Sequence, residues 1–460
     1  MKKFRKEEPI WARNPLSDEL RKYGFVFSLK KGFLLYLLVV TGLILLGRFF
    51  RLGMVCQTIL CIVVVLMVPL FLRNMLKGRF LQRRFSDLNI YMEQYLYSFQ
   101  KTGKILKTLE EVQLLFESGE MRNTIGDAIE HISNTFNEAD VELHGLEMIE
   151  EEYGYTGLVT MHRFSLQVEK DGGDYHRSIM LLLEARRMWA DRIYALLKEK
   201  RRRRVEIFLS IATSLLLCSL IYLMADDLDI DIASHPLAQG ITLIVLVLDL
   251  FIFYAADKKL SLDYMKEQGE SDEDMEKIWK RFYRYKDSKH LTDRMGYNIL
   301  KKKISREIEK RFPQWLMEVS LLLQSENVQV AIFKSYESAP EVIKPSLRKM
   351  ILSLQQNPAS MKPYLEFLQE FVLPVVRSTM NMLYSISEGN GGDADDQIQD
   401  MIRRNQVMID KAERLKNEDR MAGMYALFLA PQMTAGAKLL VDMILLLAVY
   451  MSQMAESLMQ

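Results

Sequence analysis

The chain has 460 residues, with 61 Lys and Arg against 60 Asp and Glu, so its formal net charge is only +1. Such a balance produces no global positive field and argues against a nucleic-acid partner. Apolar residues make up 49% of the chain and are concentrated in a few long runs, which also contain all three cysteines. A disulfide framework is therefore not expected.

The apolar runs predict membrane-spanning helices. A helix crosses the hydrocarbon layer with about 20 apolar residues, because each backbone polar group must be satisfied within the segment. Five stretches meet this requirement: 32–50, 54–72, 207–225, 236–256 and 422–455. For the last stretch, a single tilted crossing kinked at Pro431 is favoured over a re-entrant half followed by a span.

The distribution of basic residues predicts the orientation. Lys and Arg follow the second run (73–84), precede the third (198–204) and follow the fourth at Lys258 and Lys259, whereas residues 225–231 contain four acids and no base. Cytoplasmic loops carry an excess of Lys and Arg. We therefore expect a cytoplasmic amino terminus, two long cytoplasmic segments and an outside carboxyl terminus.

The two long polar segments are predicted to be helical bundles. Residues 178–197 place apolar side chains at the three–four spacing of one helix face. Six prolines predict short, broken helices in the second segment: Pro313, Pro340, Pro345, Pro358, Pro363 and Pro374.

The fold class is thus an all-α membrane protein with about five transmembrane helices and two cytoplasmic helical bundles. Its predicted segments are a cytoplasmic amino-terminal segment (1–31), a transmembrane hairpin (32–74), a first bundle (75–204), a second transmembrane hairpin (205–256), a second bundle (257–420) and a carboxyl-terminal transmembrane segment (421–460).

An internal repeat relates the two bundles. The same features occur twice in the same order, and in each case a charged helix is predicted to run straight into a membrane span. The matched features are Phe85-Ser86-Asp87-Leu88 with Phe312-Pro313-Gln314-Trp315-Leu316, the breaks at Gly103 and Asn327, Gly172-Gly173-Asp174 with Gly391-Gly392-Asp393, and Arg186-Arg187 with Arg403-Arg404.

This duplicated order resembles the F-type inner-membrane platform family of type II secretion systems and type IV pili, over about residues 80–225 and 305–455. The span pair before the first bundle is most similar to the tight-adherence (Tad) branch, although proteins of that branch often occur as two separate shorter chains. The resemblance implies six-helix cytoplasmic bundles in a hub of the bacterial cytoplasmic membrane. Implied partners are a cytoplasmic assembly ATPase, pilins or pseudopilins, membrane lipids, and a second platform protein or a second copy of the chain.

Motifs for catalysis or metal binding are weak. Residues 101–104 (Lys-Thr-Gly-Lys) lack the first glycine of a phosphate loop and the Ser or Thr after its lysine. His144 beside the acids of 147–152, and the predicted loop containing Asp393, Asp395 and Asp396, fit ordinary acidic surface better than metal sites. We expect no enzyme activity, no cofactor and no metal, and energy supplied by a partner.

Charged residues within and beside the apolar runs are the candidate functional residues. Lys438 and Asp442 are four apart and share a helix face, which predicts a local pair, with Asp249 protonated or hydrogen-bonded to a neighbouring span. The alternative is an Asp249–Lys438 pair that binds the spans of the two halves together. A basic cluster marks the predicted membrane interface: Lys198, Lys200, Arg201, Arg202, Arg203 and Arg204.

Each candidate has competing interpretations. The basic cluster is explained by the excess of basic residues at the cytoplasmic interface, while anionic lipid headgroups or an acidic partner surface are alternatives. For the whole protein, a transporter or channel subunit using the intramembrane acids competes with the platform. That interpretation leaves both bundles without a role. A signalling scaffold is the third, but the outer loops are too short for a sensing domain.

Overall fold

The computed structural model describes residues 29–135, 140–172, 175–227, 231–265, 272–286, 291–324, 326–389 and 394–459. Every regular element in these ranges is a helix, and no strand occurs among them. The all-α prediction is therefore confirmed for the described part of the chain. Residues 1–28, 228–230 and the predicted Gly173-Asp174 and 391–393 positions lie outside the described residues.

The first half of the described chain forms eight helices. They are α1 (Leu29–Phe49), α2 (Met54–Thr102), α3 (Ile105–Gln113), α4 (Glu120–Asn134), α5 (Val141–Tyr153), α6 (Thr156–Asp171), α7 (His176–Asp227) and α8 (Pro236–Leu260). The predicted break between α2 and α3 is present at Gly103. Its φ of +61° lies in the left-handed region, where glycine is favoured.

The second half forms eight further α-helices and one 3₁₀ turn. They are α9 (Asp272–Lys286), α10 (Leu291–Leu322), α11 (Val328–Lys334), α12 (Lys344–Gln356), α13 (Lys362–Glu366), the 3₁₀ turn Gln369–Phe371, α14 (Pro374–Glu388), α15 (Ala394–Met421) and α16 (Met424–Met459). The predicted break before α11 is also present. There the Asn327 side chain caps the helix by accepting a hydrogen bond from the Val330 N–H at 2.9 Å.

Four helical stretches of the described chain are long and apolar enough to cross a membrane: Met54–Thr102, His176–Tyr222, Pro236–Leu260 and Asp400–Ala455. Tyr36–Phe49 in α1 is also apolar but shorter. The lengths and compositions of these helices are compatible with a membrane protein.

The chain divides into two compact units. The apolar unit comprises Met1–Phe85, Ala195–Asp263 and Met421–Gln460. Within its described residues, α1, α2, α7, α8 and α16 contribute to one core. This core contains Leu43, Phe50, Leu60, Cys218, Tyr222, Ala233, Val245, Leu246 and Ala435.

The polar unit comprises Ser86–Tyr194 and Tyr264–Arg420, so it contains most of both predicted bundles. Its largest described core is built mainly by α9 to α15 around Trp315, and it also includes Leu181 of α7. Arg192 of α7 forms an ion pair with Asp410 of α15. The helices of the two predicted bundles thus contact one another within this unit.

Three local predictions are wrong. Pro313 does not break its helix: α10 continues through it, and the adjoining Phe312 and Trp315 are buried in the core, which holds the helix together. The charged helix of the second half does not run straight into the apolar one, because α15 and α16 are separated at 422–423, where Gly423 has a φ of +77°. Asp395 and Asp396 lie on α15 and not in a loop.

Candidate functional site: a polar cluster among the apolar helices

Helix α7 has one face of hydroxyl and thiol side chains within the apolar unit. Ser210, Ser214, Cys218 and Tyr222 are spaced by four residues, so they share one helix face. All four are buried. A polar group buried among apolar helices is costly unless it is hydrogen-bonded. The face therefore requires partners on the neighbouring helices α8 and α16.

Asp249 of α8 finds such partners on both sides. Its side chain is buried, the Ser214 hydroxyl lies 3.2 Å from its Oδ2, and the Thr434 hydroxyl of α16 lies 3.1 Å from its Oδ1. Thr434 Oγ1 also lies 2.8 Å from the carbonyl oxygen of Pro431. One carboxyl thus joins α7, α8 and α16.

Lys438 and Asp442 of α16 form an ion pair with no exposed side-chain surface. The ammonium of Lys438 also lies 4.5 Å from the ring centroid of Tyr222 and 3.3 Å from its hydroxyl. A cation over an aromatic face is stabilised electrostatically. Asp442 Oδ1 is buried and has no hydrogen-bond partner among the described residues.

The Tyr222 hydroxyl continues the network into α8. It lies 2.8 Å from Oγ1 of Thr242, and Thr242 donates its hydrogen to the carbonyl of Ala238 at 2.7 Å. Because Thr242 has one hydrogen, Tyr222 must donate to Thr242 and accept from Lys438. The hydrogen bonds therefore run in one direction, from Lys438 to Ala238.

The structure settles the pairing of the three predicted charges. The local Lys438–Asp442 pair is present, and Asp249 is hydrogen-bonded to neighbouring helices. No ion pair joins Asp249 to Lys438 among the described residues. The hydroxyl of Thr434, one helical turn before Lys438, reaches Asp249 instead. Asp249 still connects the helices of both halves of the chain, but through hydroxyl groups.

Sequence reasoning missed the hydroxyl partners Ser214, Thr434, Tyr222 and Thr242. The sequence does contain a signal for these residues, because polar residues spaced by four within an apolar run indicate one buried helix face. Their partners could not be assigned, because periodicity within one helix does not determine the register between helices.

The predicted basic cluster is partly neutralised by acids. Arg202 and Arg203 form ion pairs with Glu199 and Glu206 along α7. The half-exposed Arg204 lies 2.9 Å from the buried carboxylate of Asp257 in α8. Elsewhere in the cluster, Lys200 donates to the Leu262 carbonyl at 3.2 Å, and the Lys198 and Arg201 side chains are exposed. The cluster is thus an ion-pair network and not a bare positive patch.

A second polar network, also missed from the sequence, lies within the polar unit. His162 of α6 is fully buried, with Nε2 2.9 Å from the Tyr91 hydroxyl of α2 and Nδ1 2.8 Å from Glu150 Oε1 of α5. The buried imidazole thus joins α2, α5 and α6. Glu150 belongs to the acidic stretch that sequence analysis treated as surface.

Glu318 of the polar unit is a partly buried acid whose ionisation is disfavoured. Burial raises the pKa of the Glu318 carboxyl on α10, while a hydrogen bond from Ser338 and the charge of Arg163 act in the opposite direction. Among the described residues, no group of three or more His, Cys, Asp or Glu side chains is arranged to hold a metal ion. Asp393 lies outside the described residues.

Comparison of the chain with protein-family models, curated proteins and solved structures found no match. The helix order and the polar cluster therefore carry the functional interpretation.

Proposed function

We propose that this chain is a non-enzymatic platform of a type IV pilus or type II secretion-like assembly machine of the Tad type, in the bacterial cytoplasmic membrane. It would couple a cytoplasmic assembly ATPase to the insertion of pilins or pseudopilins into a fibre. The observation that carries this proposal is a succession of helices that occurs twice.

The first succession runs from the polar end of α2 through α3, α4, α5 and α6 to α7. The second runs from α10 through α11, α12, α13 and α14 to α15 and α16. Each begins with a long helix, has a break and a short helix, and ends in a charged helical stretch followed by an apolar one, which are parts of one helix in α7 and two helices in α15 and α16. This supports two repeated helical bundles, 75–204 and 257–420, in a chain that crosses the membrane five times with α1 included.

The charge distribution supports the orientation. Basic residues lie where α2, α7 and α8 pass between apolar and polar sequence, while residues 225–231 are acidic. By the excess of Lys and Arg in cytoplasmic loops, the amino terminus and both bundles face the cytoplasm and the carboxyl terminus lies outside. Both bundles are then available to a cytoplasmic ATPase.

The absence of a phosphate loop at 101–104 supports a platform driven by a partner. In a phosphate loop, glycines let backbone N–H groups surround the phosphates at the start of a helix, and a Ser or Thr binds the magnesium ion. Here Ile105, the first residue of α3, follows Lys104 where that Ser or Thr would stand.

A transporter or channel subunit is the second candidate. The observation that favours it is the buried cluster of Asp249, Lys438 and Asp442, with one oxygen of Asp442 lacking a described partner. Ionisable residues at this depth commonly belong to ion or proton pathways. The polar unit has no part in this alternative.

The two candidates are separated by one set of experiments on the full-length chain. Cross-linking of the tagged chain in its native cells, with a tagged unrelated membrane protein as control, is expected to capture an assembly ATPase and a pilin. The purified chain is expected to hydrolyse no nucleotide. Hydrolysis by the purified chain contradicts the platform, and ion flux in liposomes containing this chain alone favours the transporter.

A further inference from the structure

We propose that Asp249 is a proton-binding site within the apolar unit: its carboxyl carries a proton on Oδ1, donates it to Thr434, and releases α16 from α7 and α8 when that proton leaves. The ligand is the proton itself. The site does not depend on the platform function proposed above.

The hydrogen-bond count around Thr434 assigns the proton. A hydroxyl has one hydrogen to donate. Thr434 has two acceptors within reach, the Pro431 carbonyl at 2.8 Å and Asp249 Oδ1 at 3.1 Å, and the carbonyl is the nearer. With that hydrogen directed to Pro431, the contact between Thr434 and Asp249 contains a hydrogen only if Asp249 supplies it. A protonated carboxyl does so and leaves Oδ2 free to accept from Ser214.

The charge balance of the interior leads to the same assignment. Lys438 and Asp442 neutralise one another, whereas the direct partners of Asp249 are two neutral hydroxyls. Among the described residues, the other ionisable groups of this core are Cys218 and Tyr222 of α7 and Cys61 of α2, and all three are neutral when protonated. With Asp249 ionised the cluster has a net charge of −1, which is costly among apolar helices. A proton on Asp249 makes the cluster neutral.

The position of Asp249 keeps water away from the carboxyl. It lies thirteen residues after Pro236 and eight before Asp257 in α8. At about 1.5 Å per residue these separations are roughly 20 Å and 12 Å along the helix. Exchange of the proton therefore requires movement of the surrounding helices or transfer through neighbouring polar groups.

The proton acts next to a turn of α16 that lacks one backbone hydrogen bond. Pro431 has no N–H, so the carbonyl of Leu427 loses its helical partner there. Thr434, which receives the Asp249 proton, lies in the next turn, and the neighbouring Ala435 is fully buried. Removal of the proton leaves the single hydrogen of Thr434 to serve two acceptors, the Pro431 carbonyl and the Asp249 carboxylate, so one of them loses its hydrogen bond. The packing of this turn against α8 then loosens.

Infrared spectroscopy of the full-length protein in liposomes tests the protonation. At neutral pH the wild type is expected to show the C=O band of a protonated carboxyl, which is lost in Asp249→Asn and retained in the control Asp257→Asn, whose carboxylate pairs with Arg204 outside the cluster. In Thr434→Val the band is expected to persist at higher frequency, because its hydrogen-bond acceptor is gone. A band that survives in Asp249→Asn or does not shift in Thr434→Val overturns the assignment. If Asp249→Asn fails to insert, the shift in Thr434→Val decides alone.

The linked movement is tested with Cys218, which is buried one turn beyond Ser214. In a Cys56→Ser/Cys61→Ser background, maleimide labelling is measured across alkaline pH with and without Asp249→Asn. Ionisation of the Cys218 thiol at alkaline pH raises labelling in both proteins. The quantity compared is therefore the ratio of labelling with Asp249 to labelling with Asp249→Asn at each pH. We expect wild-type labelling to rise several-fold more than that of Asp249→Asn, which imitates the protonated acid. Equal pH dependence in the two proteins overturns the proposed release.

Discussion

Within the polar unit, Nδ1 of His162 lies 2.8 Å from Oε1 of Glu150, and the histidine side chain has no exposed surface. With Nδ1–H donated to the carboxylate, the opposite ring nitrogen accepts from the Tyr91 hydroxyl at 2.9 Å. One imidazole therefore satisfies polar groups on two other helices, α2 and α5.

Replacement of this histidine is expected to destabilise the protein. His162→Phe leaves the Tyr91 hydroxyl and the Glu150 carboxylate without their partner, at a cost of about 1–3 kcal/mol for each unsatisfied group. Thermal unfolding of the purified chain measures the change. His176→Phe is the control, because His176 is exposed where it contacts Gln100. An equal loss in the two variants contradicts a special role for His162.

The Lys438–Asp442 pair predicts strongly non-additive mutations. Lys438→Met leaves Asp442 charged and unpaired among apolar helices, and breaking a buried pair costs about 3–5 kcal/mol. Lys438→Met/Asp442→Leu removes both charges and is expected to recover most of that loss. Thermal unfolding in detergent gives the double-mutant cycle. Additive effects would show that the two charges do not interact.

The Arg204–Asp257 ion pair connects the end of the apolar part of α8 with α7. Asp257→Asn is expected to lower stability by about 1 kcal/mol, since one partner is half exposed. The effect should shrink as salt is added, because ions screen exposed charges. Arg202→Gln is the control, since the described ion pairs of Arg202 lie within α7. A salt-independent effect of Asp257→Asn would indicate lost packing instead.

Glu318 predicts a pH-dependent stability. Its folded-state pKa is raised by burial, so the folded state binds the proton more tightly than the unfolded state. Stability from this group is complete below the unfolded pKa and is lost as pH rises through the folded value. Glu318→Gln is therefore expected to stabilise the chain at neutral pH, with a gain that disappears in acid. Melting curves across pH test this, and a gain that persists in acid contradicts it.

The proposed orientation predicts the labelling of single cysteines. In a background without native cysteines, positions 120, 290 and 390 are expected to react only from the cytoplasmic side. Position 229, in the acidic segment, is expected to react only from outside. Labelling of Asp229→Cys from the cytoplasmic side would overturn the orientation and the access of both bundles to an ATPase.

The sequence predicted those features that depend on neighbours along one chain. Apolar runs located the long helices, Gly103 and Asn327 marked breaks, and a spacing of four placed Lys438 beside Asp442. Contacts that depend on how far one helix is shifted along its neighbour could not be predicted from the sequence. The hydroxyl partners of Asp249 could therefore not be identified from periodicity. Because Asp249 and Lys438 form no ion pair among the described residues, an exchange of these two residues is not expected to restore one.

Prolines show the same division between local and tertiary effects. Pro345, Pro363 and Pro374 begin helices, where the missing N–H costs nothing. Pro313 lies inside α10, and its neighbours in the core hold the helix in place. Proline chemistry alone cannot distinguish these cases, because core packing decides the last one.

The break at residues 422–423, which includes Gly423, makes the charged and apolar helices of the second half easier to bend than α7 of the first half. Helix α7 is continuous over 52 residues, so a bend between its charged and apolar parts would strain helical hydrogen bonds. In the second half, α15 stops at Met421 and α16 starts at Met424, and the Lys259 ammonium contacts the carbonyl of Ala422 between them. A helix interrupted in this way bends at the interruption. The second half can therefore bend at residues 422–423 without that cost.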